Sequence, residues 1–175
     1  MERRTMNSSF KLLLTTRRFT LAAAVVLGTA LAIGIALKVA RATPGQGNTV
    51  TILAGPVLLD EINVVSERRD HGVQIKTRGL SDAYVQRNVV APGGFSGWHS
   101  HPGPVFVLIT AGTATVYDGA DPTGEPAIYP AGTGFVEEVG DVHDLRNEGD
   151  TDVELIAVVL VPMGAPRRID EPAPE

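Results

Sequence analysis

Between residues 49 and 161 the sequence gathers its apolar and β-branched residues into nine short runs: 50–53, 57–64, 73–77, 83–90, 105–110, 114–117, 134–137, 143–146 and 153–160. Turn signals separate them, among them Ala-Pro-Gly-Gly at 91–94, His-Pro-Gly-Pro at 101–104, Asp-Gly-Ala-Asp-Pro at 118–122 and Asn-Glu-Gly-Asp at 147–150. Glycine supplies backbone angles that other residues resist, and proline removes a ladder donor, so such clusters end strands. No long amphipathic helical pattern intervenes. Many short strands at regular spacing predict an all-β fold, a sandwich or barrel. The 19 glycines and 12 prolines fit a chain full of turns. Cysteine is absent, which excludes disulfides, thiolate metal sites and cysteine nucleophiles. No serine sits in a G-x-S-x-G elbow, and no internal repeat is visible.

Charge divides the chain. Residues 1–42 hold seven basic side chains against a single acid, Glu2, and the other 133 residues carry eight basic and nineteen acidic groups, a net of −11. Five of the basic residues precede an uncharged run from Phe19 to Leu37. As a helix this run spans roughly 28 Å, close to the hydrocarbon thickness of a bilayer. It lacks the polar face that a core helix would keep. Ala40-Arg41-Ala42 then offers small residues at the spacing a signal peptidase reads, with cleavage before Thr43. Residues 1–42 are therefore expected to be a signal peptide or an N-terminal hydrophobic helix that anchors the chain and contacts the membrane. Either way the remainder is exported, periplasmic or extracellular, because the positive flank stays cytoplasmic. Thr16-Arg17-Arg18-Phe19 partly resembles a twin-arginine signal, with Thr20 where a hydrophobic residue is usual. Residues 43–48 read as a linker and 162–175, rich in proline and charge, as a disordered tail; 49–161 form the folded domain. Its acidic balance excludes nucleic acid as a partner and disfavours anionic ones.

Three of the four histidines fall where chemistry can gather. His99-Ser100-His101 places two imidazoles at i and i+2, on one face of a strand. His143 opens another predicted strand. Imidazole nitrogens converging from β-structure can hold a divalent ion, although an H-x-H pair alone is as easily a solvated pair. The surrounding spacing adds specificity. Gly93, five residues, His99-Ser100-His101 and Gly112 form one string. Gly132, five residues, Glu138, one residue, Gly140, two residues, His143, three residues and Asn147 form another.

Together the strings resemble the two signature motifs of the cupin superfamily, over roughly residues 70–161. The resemblance implies a single antiparallel jelly-roll β-barrel with a metal held inside by His99, His101 and His143. It also implies a mainly structural Asn147, glycines serving turns, and a possible homodimer. Two positions depart from the pattern. The glutamate ligand of the first motif is replaced by Val105, which shares the inward parity of 99, 101, 107 and 109, and the proline of the second motif is replaced by Glu138. Three neutral imidazoles would leave a divalent ion (Fe, Zn, Cu, Ni or Mn) with its full charge and open positions. The site then reads as a metal-dependent oxygenase acting on a small molecule, or a non-catalytic module binding a metal or small-molecule ligand, or a barrel whose histidines hold no metal.

Other residues carry plainer expectations. Glu137 and Glu138 can restore the missing carboxylate, though an acidic pair at a strand end is ordinarily solvated. His71, among charges in a turn, is expected to be exposed. Trp98 and Phe106 have outward parity. Tyr84, Gln86 and Asn88 alternate along one strand and can line a cavity mouth. The apolar runs 105–109 and 153–161 read as strands buried on both faces or at a subunit contact.

Overall fold

The computed structural model describes residues 42–67 and 71–174. The hydrophobic helix and membrane contact expected within residues 1–41 lie outside the described residues. No helix among the described residues is long and apolar enough to cross a membrane. The regular elements of the domain are strands: β1 (Gln46–Leu59), β2 (Asn63–Glu67), β3 (Gly72–Lys76), β4 (Ser81–Phe95), β5 (His99–Ser100), β6 (Val105–Ala111), β7 (Thr113–Asp118), β8 (Ala127–Pro130), β9 (Gly134–Glu137), β10 (His143–Arg146), β11 (Val153–Pro162) and β12 (Ile169–Asp170).

Ten of these form one sheet. β12, β5, β10, β4, β11, β6 and β9 are successive neighbours, β1 pairs with β4, and β7 joins β10 to β8. Every pairing is antiparallel, and the sheet makes an all-β near-barrel. β2 and β3 form a separate hairpin. The four glycines of the two spaced strings, Gly93, Gly112, Gly132 and Gly140, all have positive φ, a backbone region that side chains with a Cβ resist.

The period-2 pattern fixes what faces inward. On β6, Val105, Val107 and Ile109 are buried while Phe106 and Leu108 are exposed; on β11, Val153, Leu155, Ala157, Val159 and Val161 are buried. The expectation of burial on both faces is thus corrected for β6, whose second face is exposed, while the second face of β11 is half-buried. One face of an antiparallel sheet packs on the core while the other can remain open. The run 57–64 also divides, with β1 ending at Leu59 and β2 beginning at Asn63, and β4 continues to Phe95 through the expected turn at 91–94.

Both ends of the domain differ from expectation. Residues 43–48 do not form a free linker: Gln46 pairs with Phe95 and Asn48 with Val90, and Thr43 N donates to Glu171 O at 3.1 Å. The long β4 supplies a backbone partner that the polar side chains of this stretch gave no hint of. Nor is 162–175 a disordered tail over its described part. Ile169 and Asp170 pair with Ser100 and His99, Glu171 N donates to Trp98 O, and Ala42 bridges Pro172. A segment too polar to build a core can still add to a sheet edge through its main chain, which satisfies the unpaired donors and acceptors there.

Candidate metal centre

β5 and β10 lie antiparallel with His99 directly opposite His143, and His101 follows two residues later on the same face. The three rings converge, with centroids 4.3 to 5.4 Å apart. One ligand nitrogen from each lies within 4.8 Å of the others, and all three side chains are buried. The sequence-predicted residues His99, His101 and His143 are therefore brought together.

Backbone carbonyls orient each ring. His99 Nδ1 donates to Gly97 O at 2.8 Å, His101 Nδ1 to Arg167 O at 2.6 Å and His143 Nδ1 to Asp141 O at 2.9 Å. A carbonyl only accepts, so the proton of each neutral ring sits on Nδ1 and Nε2 presents a lone pair. Gly97 permits the first of these contacts, having φ of 75° and standing so close to Thr43 O that a Cβ would lie 2.0 Å from it.

A carboxylate joins the histidines. Glu137 Oε2 lies 3.2 Å from His101 Nε2 and Oε1 lies 3.2 Å from His143 Nε2, with the Glu137 side chain only 8% exposed. Burial alone would raise its pKa, but His101 and His143 outweigh burial and hold the carboxyl down at about 2. His99 is pushed down to about 3, first by burial and then by His143, Arg168 and His101. His143 is lowered by burial but carried above its ordinary value by Glu137. His143 Nε2 is buried without a hydrogen-bond partner. Three inward lone pairs, one of them on the unpartnered His143 Nε2, and an ionised carboxylate beside them form a donor set that fits a divalent cation.

His99 and His101 open onto a cavity of about 90 Å³, bounded by Gln86, Asn88, Val105, Val107, Arg167 and Arg168. Gln86 and Asn88 line it as the alternation on β4 predicts. Tyr84 does not; it lies under the Arg167 guanidinium, 5.7 Å from the ring centroid. Arg167 Nη1 in turn donates to Gln86 Oε1. A larger cleft of about 540 Å³, between Ile75, Leu80, Phe106 and Val139, lies on the outer surface away from the histidines.

The remaining assignments sort plainly. Val105 is inward and 1% exposed, so the first-motif position offers the site only methyl groups. Glu138 and His71 are exposed. Trp98 borders surface clefts away from the cavity, and Phe106 faces outward. Asn147 is structural: its amide donates to Val90 O at 2.7 Å and Thr151 O at 2.8 Å, and its Oδ1 accepts from Gly149 N. Sequence reading offered Glu137 and Glu138 alike as a replacement carboxylate, with solvation the plainer expectation, and missed Arg167 and Arg168. The inward parity of 135 and 137 on β9 was the available signal for the first; the tail gave none.

The family model of the cupin domain matches residues 87–159, which include all three histidines, Glu137 and Asn147. Over these residues the match supports membership of the cupin superfamily. Among solved cupin-like structures, the polyketide cyclase RemF from Streptomyces resistomycificus superposes with a TM-score of 0.51 at 14% identity, over 74% of this chain and 75% of that one. The cupin domain of an XRE family transcriptional regulator from Enterobacter cloacae gives 0.43 at 16% identity, over 70% and 100%. A predicted oxalate decarboxylase from Thermotoga maritima gives 0.39 at 23%, over 49% and 84%. At 14% identity the likeness to RemF speaks for the fold alone. No curated protein matches the sequence.

Proposed function

We propose that this cupin is an exported protein that holds a divalent metal through His99, His101 and His143 in a jelly-roll barrel and acts as a metal-dependent oxygenase on a small molecule. The observation that carries this reading is the common orientation of the three imidazoles. Each gives its Nδ1 proton to a backbone carbonyl and turns an unprotonated Nε2 inward. The ion, when bound, supplies Lewis-acid and redox chemistry. The chain supplies the rest. Val105 and Val107 keep one wall apolar and limit water, Gln86 and Asn88 offer amides to a polar group on the substrate, and Arg167 and Arg168 stand beside the cavity. Export rests on the basic flank and uncharged run of residues 1–42.

A second reading is favoured by the size of the cavity. About 90 Å³ holds roughly three waters' worth of liquid volume, well below an ordinary small-molecule pocket. A metal-binding or sensing module without turnover needs no more room than that. One experiment separates the readings. The full chain, purified without chelator or affinity metal, is analysed for metal beside His143→Ala, and the loaded protein is screened for oxygen consumption with small thiols and diketones. Near-stoichiometric metal that is lost in the variant supports the site. Oxygen uptake dependent on that metal supports the oxygenase, and its absence across the screen supports the binding module. Equal metal in both proteins would overturn the site.

A further inference from the structure

Position 105 is where the first cupin motif would carry its carboxylate, and Val105 carries none. On the β6–β9 ladder, however, Val105 is the direct partner of Glu137. Residues directly opposite on antiparallel strands project to the same face with Cβ atoms about 5 Å apart. A carboxylate at 137 is thereby delivered to the same inner wall, from the neighbouring strand. Its side chain is 8% exposed, whereas the next residue, Glu138, points into solvent.

The contacts it makes are unusual for a hydrogen-bonded acid. Both oxygens sit 3.2 Å from imidazole Nε2 atoms, one on His101 and one on His143. Those rings have already committed their Nδ1 protons to Arg167 O and Asp141 O. In the neutral rings that metal ligation requires, lone pair faces lone pair at both contacts, and His143 Nε2 has no hydrogen-bond partner. In a buried site such an arrangement of acceptors is held together by a shared cation.

We propose that Glu137 is a fourth ligand of the metal, its carboxylate having taken the place of the motif glutamate from the cross-strand position. The proposal rests on the three-histidine reading and refines it. A carboxylate lowers the net charge of the loaded site from +2 to +1 and adds a hard oxygen donor. That donor set suits Mn(II), Fe(II) or Zn(II) and disfavours copper(I), which prefers soft sulfur ligands. It also makes the displacement legible from sequence: inward valine at 105 and inward glutamate at 137 form one exchanged pair.

The test uses the metal-free full chain titrated with Co²⁺, whose visible spectrum reports ligand number and type, against a competing chelator. Glu137→Gln keeps the shape and removes the charge. The expected result is a Co²⁺ affinity weakened about 100-fold and an altered visible spectrum, with the circular dichroism of the fold unchanged. Should Glu137→Gln fail to fold, Glu137→Asp is read by the same criteria. His143→Ala is the control for the underlying site. If it abolishes binding while the folded Glu137 variant matches the wild type in affinity and spectrum, the carboxylate is not a ligand and the three-histidine site stands. If His143→Ala also binds as the wild type does, the histidine site itself is wrong and the fourth ligand with it.

Discussion

Two stretches of this chain build the same site by different means. Residues 87–159, matched by the cupin family, contribute side chains: His99, His101, His143 and Glu137. The flanks, 42–48 and 162–174, contribute mainly backbone. Arg167 O holds His101 Nδ1, Asp170 pairs with His99, and Thr43 N closes on Glu171 O. Side chains that do chemistry leave a residue-type signature, whereas a carbonyl oxygen has none, since every residue owns one. The orientation of the histidines is therefore shared with a tail whose composition says only that it cannot fold alone.

Deleting residues 166–175 breaks this comparison most directly. The core of β4, β6 and β11 stays intact, so the domain is expected to fold. His101 loses its orienting carbonyl and the cavity loses Arg167 and Arg168, so metal affinity should fall about 10- to 100-fold by chelator competition. An unchanged affinity would reduce the tail to a surface attachment. The opposite case is Asn147→Ala, inside the matched stretch but serving only the fold. It strands the Val90 and Thr151 carbonyls and should cost about 1–3 kcal/mol in urea unfolding, with metal per folded molecule unchanged.

A pH series sharpens the picture in the metal-free protein. The pKa of His99 is about 3 in the folded chain, below its ordinary 6.5, so the unfolded chain takes up a proton first on acidification. The stabilisation due to His99 is full above about pH 6.5 and is lost as pH falls towards 3. His143, raised, works in the opposite sense. Melting temperature should therefore fall less between about pH 7.5 and pH 5 in His99→Asn than in the wild type, as thermal scans of both would show. The smallest effect is expected from Glu171→Ala. It removes a single hydrogen bond, that of Ser100 Oγ at 2.8 Å, but leaves the main-chain contacts of Glu171, and should cost under about 1 kcal/mol.

Much of the fold was legible because burial follows the strand period. The bounds of β9 and β10 match the runs 134–137 and 143–146, and the inward set Val105, Val107 and Ile109 follows from parity with His99 and His101. The three histidines were legible because H-x-H on a strand leaves little choice of face. Less visible was whatever depends on a partner strand. Parity shows that Glu137 points inward once β9 is placed, but only the β6–β9 register shows that it stands opposite Val105. β12 and the start of β1 were missed because their pairing is carried by main chain in polar, proline-bearing sequence. The outward apolar residues Phe106 and Leu108 misled for a related reason: hydrophobic type alone does not tell an open face from a packed one.

The central claim is that His99, His101 and His143 hold one divalent ion, and anomalous diffraction tests it most directly. Crystals of the full chain, loaded with Mn²⁺ or Zn²⁺ and measured above and below the absorption edge of that metal, should give one strong anomalous peak within about 2.0–2.3 Å of all three Nε2 atoms. A map without a peak at the histidines, or with its only peak elsewhere on the molecule, would contradict the account.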